Sequence, residues 1–426
     1  LHCLFIESVR QREVAISPSG EVSISETDES GIGVSVAKGS NRYHASANTV
    51  SESTLREIVD VLSRRTNLSR QFQIPDSWRQ VCHIHSAAEQ ASYTAPIEAL
   101  NEVLATAKRT LTPKTAAVSL EYHERSQLLS CGMDIPVSGV RNHWGMAIDA
   151  VVIAPSGRPI YLDRNIGGQH NPIVNPGFAD GFSEAVDYAR CSVPAPAGRF
   201  PVLFASQPAA ILFHEALGHA LEQSMWSSNR SFIEIPFTLQ SLRIFDDPTR
   251  LDLFGGRSFD DTGREVGRTV LVERGKIVGL IAHGRDANVF GLTSNAGLWR
   301  SNFRFSAVPR MSNLVVDEDR LGFYDLIQEM GNGIAIRKAS EGIYNRATGK
   351  FRIQALEANV VKAGKLDCSL EPFIIESDIN SFRTNLCAIG KGAQSMSMYC
   401  QTYDGAVPVG HEIPPCIVDP ILILPQ

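Results

Sequence analysis

The sequence predicts an α+β protein: an N-terminal α/β region with antiparallel sheets, then a sheet-rich C-terminal domain that carries one conspicuous helix. Three observations predict it. Strand-turn-strand patterns with period-two alternation recur along the chain, helical spacing is limited to a few short segments, and the last 230 or so residues turn strongly β around "ILFHEALGHALEQSMW" at 211–226.

Residues 21–47 alternate and read as two strands joined by an acidic, glycine-bearing turn. "STLREIVDVLSRR" at 53–65 has a serine start, helical apolar spacing and a basic end. A polar stretch covers 66–93, and a helix is expected at 95–109. "AAVSLEYHERSQLLSC" and "GMAIDAVVIAPSGRPIYL" read as a second antiparallel sheet, 165–178 as a Gly/Pro-rich loop, and "SEAVDYARC" as a helix. Farther on, hairpins are expected around Arg274 to Lys276 and around Gly364. These divisions give an N-terminal α+β domain at 1–67, a central α+β domain at 68–194 and a β-rich C-terminal domain at 195–426.

At 426 residues the chain has room for two or three cores. Its 43% apolar and 20% charged content is that of a globular protein, and a net charge of −6 disfavours nucleic acid and anionic membrane as partners. No apolar run reaches the roughly 18 residues a bilayer span needs, and "LHCLFIESVRQREV" is interrupted too early by Glu7 and Arg10 for a secretory leader. The chain does not open on Met, which suggests native residues before Leu1. Eight cysteines without a C-x-x-C pair point to reduced thiols and a cytoplasmic location.

The chemistry concentrates at 214–219. His214, Glu215 and His219 lie on a segment opened by Pro208 and rich in helix formers. H-E-x-x-H metallopeptidase helices space their histidines four apart, about 40° around the helix; five apart is about 140° in a regular α-helix. A π-type turn closes that angle, and Gly218 tolerates the backbone change, so a distortion is expected at 216–219. Glu215 then suits the general base toward water acidified by the ion. Spacing alone equally allows a hydrogen-bonded polar patch in a buried helix. Glu222, His283, Cys400, His411 and Glu412 are all admissible third ligands.

Other signals are weaker. Cys82, His83 and His85 in "VCHIH", read as a strand, point alternately to opposite faces and favour packing over metal. "GIGVSV" and "GKGAQS" lack nucleotide-loop spacing, and Cys368 reads as a structural thiol.

"HEALGHALE" resembles the H-E-x-x-x-H signature of the TldD/PmbA family of zinc metallopeptidases, in its catalytic TldD-like branch. The approach "APAGRFPVLFASQPAAILF", the hairpin "DDTGREVGRTVLVERGKIVGLIAHGRDA", "VPRMSNLVV" and "MYCQTYDGAVPVGHEIPP" agree with it. The resemblance implies Zn²⁺ held by His214, His219 and Cys400, an open fourth position and Glu215 as base. It also implies peptide substrates, held by strand addition, and a dimer, formed with a related PmbA-like subunit lacking the motif or with itself. Gln223 and Ser224 replace a common Gly-Asp, and His411 and Glu412 interrupt the P-V-G turn. Such departures suit a peptide-like or amide intermediate of a biosynthetic pathway as an alternative substrate. A non-catalytic assembly subunit with a structural metal is the rival from another class.

Overall fold

The computed structural model describes residues 2–38, 41–66, 74–87, 97–109, 115–133, 135–169, 178, 180–222, 235–282, 287–288, 291–294, 297–403 and 405–426. The architecture is mixed α+β and mostly antiparallel sheet.

The first sheet is built from β1 (His2–Ile16), β2 (Val22–Lys38), β3 (Asn41–Ala47), β4 (Thr115–Gly132), β5 (Val137–Ile153) and β6 (Pro159–Gln169). Their order is β3-β2-β1-β4-β5-β6, so one sheet runs across the 67/68 division. On one face, even-numbered residues of β1 point at helices. Leu4 and Ile6 pack with α1 (Glu52–Thr66) and α2 (Asp76–Ala87), while Val14 and Ile16 pack with α3 (Ile97–Arg109) and α4 (Asp180–Arg190). The Ser51 hydroxyl caps α1 by accepting from the Thr54 amide at 3.1 Å.

Several expectations need correction here. The acidic stretch at 26–30 is no turn: β2 passes straight through it, because β1 pairs with it residue for residue from Ile16↔Val22 to His2↔Val36. The polar stretch holds α2, and Cys82, His83 and His85 are helical rather than in a strand. Trp78, Val81 and Cys82 supply the apolar face that packs α2 onto the sheet. The side chains of His83 and His85 lie outside the described residues. Residues 165–169 belong to β6, paired with β5, while 170–177 lie outside the described residues.

In the C-terminal half, β7 (Gly198–Phe204) leads into α5 (Ser206–Phe213), a π-turn (His214–Gly218) and α6 (His219–Leu221). One flanking sheet uses β8 (Ile244–Asp246), β9 (Thr269–Glu273), β10 (Lys276–Ile277), β13 (Asn313–Val316), β19 (Gln394–Thr402) and β20 (Gly405–Ile413), in the order β10-β9-β8-β13-β20-β19. The other uses β7 with β14 (Gly333–Asn345), β15 (Lys350–Lys362), β16 (Lys365–Leu370), β17 (Phe373–Asp378), β18 (Leu386–Ile389) and β21 (Cys416–Pro425). A short pair, β11 (Leu298–Trp299) with β12 (Val308–Pro309), and helices α7 (Phe323–Met330) and α8 (Ile379–Asn385) complete it. The hairpins expected around Arg274 and Gly364 are β9–β10 and β15–β16.

All of α5 except Gln207 is buried. A helix that is apolar on nearly every side has to lie between layers, and this one shares a single core with strands of both flanking sheets. Among the described residues no helix is long and apolar enough to cross a membrane.

Candidate metal centre

The helix leaves α geometry at His214. Its carbonyl accepts from the His219 amide, an i+5 to i bond, and both histidines, like Gly218, keep ordinary right-handed helical dihedrals. The two imidazoles thereby come to one face, ring centroids 4.7 Å apart. The distortion starts two residues earlier than expected, and glycine serves it differently. Gly218 has φ −53° and ψ −57°, which any residue adopts; what requires glycine is space, since a Cβ there would lie 2.0 Å from Met311 Sδ.

Cys400 arrives from β19, the edge strand, and completes the cluster. One donor atom from each of His214, His219 and Cys400 fits within a mutual 4.8 Å, and all three residues are buried. His219 Nε2 stands 3.7 Å from Cys400 Sγ. Tetrahedral zinc with bonds of about 2.05 Å to nitrogen and 2.3 Å to sulfur puts such a pair about 3.6 Å apart, so the donor set fits that ion.

Each imidazole is oriented from behind. Glu222 Oε2 accepts from His219 Nδ1 at 3.2 Å, leaving Nε2 as the lone-pair nitrogen facing Cys400. His411 Nε2 lies 3.0 Å from His214 Nδ1, leaving Nε2 of His214 for a ligand. Burial first, then the neighbouring His219, His411 and Arg310, hold the His214 pKa well below its ordinary value. Burial also pushes His411 down to about 4. For His219 burial acts downward, but Glu222 and Cys400 outweigh it and the net shift is upward.

The other expected third ligands fall elsewhere. Glu222 and His411 are one step removed, bonded to the histidines. Glu412 is paired with Arg250 at 2.8 Å, and His283 lies outside the described residues, as do Gln223 and Ser224. Glu215 is 5% exposed and lines the cavity beside the histidines. It lies against Gly342 of β14, where a Cβ would come within 2.4 Å of Glu215 Cγ.

Sequence reasoning missed the scaffold behind this cluster. Arg310 donates to the carbonyls of Cys400 and Gly405 and so fixes the end of β19. The Met311 amide donates to Glu222 Oε1 at 3.2 Å, and Ser312 bonds Asp246 through both its amide and hydroxyl at 2.8 Å. Tyr344 stacks on His219, 6.0 Å between centroids and 16° between planes. Only Glu222 left a local signal, its i,i+3 spacing from His219. The rest are contacts between segments far apart in sequence.

Comparison with known proteins bears on the family and the fold. Residues 197–423 match the family model described as the PmbA/TldA metallopeptidase C-terminal domain. A metalloprotease of Methanothermobacter thermautotrophicus is 28% identical over 221 residues, covering 51% of this chain and 48% of that protein. A metalloprotease TldD homolog of Haemophilus influenzae is 26% identical over 238 residues, covering 54% and 49%. The chain thus spans about half the length of these relatives in the match. The crystal structure of TldE from Thermococcus kodakarensis superposes with a TM-score of 0.72 over 99% of this chain and 96% of that one, at 14% identity, a likeness of fold.

Proposed function

We propose, from the premise that the chain belongs to the TldD/PmbA family of metallopeptidases, that it is a zinc-dependent peptidase hydrolysing small or unfolded peptides. His214, His219 and Cys400 are the ligands in this reading and Glu215 is the general base. The observation that carries it is the π-turn, which puts two histidines spaced five apart on one face opposite a cysteine 181 residues away from His219.

Zinc in such a set supplies Lewis acidity toward a peptide carbonyl and toward water. The remaining work falls to the chain's own residues. Burial keeps His214 neutral, the form that offers a lone pair. The Nδ1 partners Glu222 and His411 hold both rings in orientation, so little reorganisation is needed. Glu215 takes the proton of the attacking water on its carboxylate and returns it to the departing amine nitrogen. A cavity of about 410 Å³ reaches His214, Glu215, His219 and Cys400. A purely structural site has no use for such an opening, which favours catalysis over the assembly-subunit reading. Dimerisation, with a related subunit lacking the motif or with a second copy, belongs to the same proposal and is checked by light scattering.

Glu215→Gln separates the readings. Elemental analysis is expected to find zinc retained, while hydrolysis of an unstructured peptide falls at least ~100-fold. Undiminished hydrolysis in this variant overturns the assignment of the base. Running a small amide substrate beside the peptide, with and without chelator, sorts the substrate classes.

A further inference from the structure

Two cavities meet along β19. The one at the metal cluster lies between residues 342–346, at the end of β14, and residues 398–403, at the end of β19. A larger one, about 790 Å³, lies between β14 at Ala339 and Ser340 and β19 at 396–399. Both are lined by Met398 and Tyr399, and the helix runs beneath both, Gln207 and Ile211 under one, His214 and Glu215 under the other. They adjoin at Met398 and Tyr399, so a peptide lying along the helix would pass from one half of this groove to the other. Gln207 keeps the β14 side in place by bonding both the amide and the carbonyl of Ala339, at 3.0 and 2.9 Å, where β14 bulges out of register.

The larger half has a third wall, the helix-free face of the first sheet, and that wall is acidic. Asp149 of β5 and Asp163 of β6 are direct cross-strand partners, and Glu121 of β4 projects from the same face. Like charges opposed across strands destabilise a sheet. Burial, and then Asp163 and Glu121, act to raise the Asp149 pKa against its hydrogen bond from Tyr161. Four carboxylates line this half against one arginine, Arg158, and Lys338 offsets part of the charge at Asp163.

The fourth carboxylate, Glu371, is an independent observation: it has an ion-pair partner in Arg158 but lacks hydrogen-bond donors among the described residues. It is 2% exposed, neither oxygen accepts a hydrogen bond among the described residues, and Arg158 Nη1 stands 3.5 Å away. Buried polar groups are costly when left unbonded, so a ligand that brings donors into this half relieves a cost the fold carries alone.

We propose that the larger half of the cleft is a subsite for a cationic side chain, Lys or Arg, of the bound peptide. The inference rests on the peptidase reading above. Tyr161 and Tyr399 add aromatic surface suited to such a cation. From Gln207 to Glu215 the helix advances about 12 Å at 1.5 Å per residue. That equals three or four residues of extended chain at about 3.3 Å each, so the basic residue belongs three or four positions from the bond cut.

The test uses the full chain carrying Glu215→Gln, so that binding is read without cleavage. Fluorescein-labelled, otherwise neutral decapeptides carry one lysine, or norleucine, scanned along the sequence. Fluorescence anisotropy is expected to show the best lysine peptide binding at least tenfold tighter than its norleucine twin, with the preference shrinking as salt rises. Adding Asp149→Asn with Asp163→Asn, or Glu371→Gln alone should the pair fold poorly, is expected to cut the preference to about twofold or less, norleucine binding being unchanged. Equal binding of the two peptides overturns the subsite even where the unsubstituted chain hydrolyses both. Salt-sensitive preference for lysine without hydrolysis by the unsubstituted, zinc-loaded chain supports the subsite and overturns the peptidase reading instead.

Discussion

In the first sheet, β1, β2, β4 and β5 run 15 to 18 residues and pair along nearly their whole length. Around the π-turn, Gly218 and Gly342 each face a single side chain too close for a Cβ, Met311 Sδ at 2.0 Å and Glu215 Cγ at 2.4 Å; glycines of the sheet meet such neighbours as well, Gly31 and Gly145 at 2.3 Å, but its strand pairing does not depend on them alone. The sheet distributes its pairing over many equivalent bonds, so no one of those bonds decides it. The site hangs on a few individual contacts between distant segments. Substitutions are therefore expected to act steeply at the site and shallowly at positions of the first sheet and its helices where no atom crowds the side chain, and the following changes probe that contrast.

The largest effect is expected from Gly342→Ala. The added methyl meets Glu215 Cγ and the Arg352 carbonyl, at 2.4 and 3.2 Å, and pushes the carboxylate out of place while leaving the three ligands untouched. Misplacing a reacting group by about 1 Å costs on the order of 100-fold in rate. Peptide turnover is expected to fall by that order with zinc content unchanged. Loss of zinc along with activity would mean that Gly342 supports the ligands rather than the base.

A smaller pair of effects has opposite signs. Gly218 and Gly181 both sit in helices, but at Gly181 of α4 the nearest atom to an added Cβ is Arg164 Nε at an ordinary 3.8 Å. Gly181→Ala is expected to stabilise by about 0.4–1 kcal/mol through the unfolded chain. Gly218→Ala forces Met311 aside and is expected to cost about 1–3 kcal/mol. Urea unfolding of the two variants reads both, and a shared sign breaks the contrast between the regions.

What was legible in the sequence follows the same divide. The histidine spacing carried its own geometric contradiction, and a π-turn is the local way to resolve it, so the bent helix could be read from six residues. Cys400 came only from resemblance, because nothing local distinguishes it from His411 or Glu412; sheet register decides that Cys400 lines the cluster while Glu412 meets Arg250. In the first sheet, alternation located β4, β5 and β6, but Asp28, Glu29 and Gly31 imitate a turn inside β2. Only the pairing of β1, a partner the local pattern does not contain, keeps that segment extended. Cys82 to His85 failed for a related reason: the apolar face of α2 is spread over Trp78, Val81 and Cys82, too few residues to separate helix from strand.

The smallest effect is expected where the two regions touch. His44 of β3 donates from Nε2 to the Phe303 carbonyl at 2.9 Å and accepts from the Ser35 hydroxyl at Nδ1, 3.0 Å away. Burial, and then Arg300, lower its pKa to about 4 against the opposing pull of the Phe303 carbonyl. An unfolded histidine titrates near 6.5. Between about 6.5 and about 4 the folded chain therefore binds fewer protons than the unfolded one, and stability from this group is lost as pH falls through that window. Above it the group contributes no slope. His44→Gln keeps an amide donor for Phe303 and removes the titration, so its Tm is expected to fall less between pH 7 and pH 5 than that of the unsubstituted protein. Parallel losses in both proteins would place the acid sensitivity away from this junction, and the seam between sheet and site would then not depend on the charge state of His44.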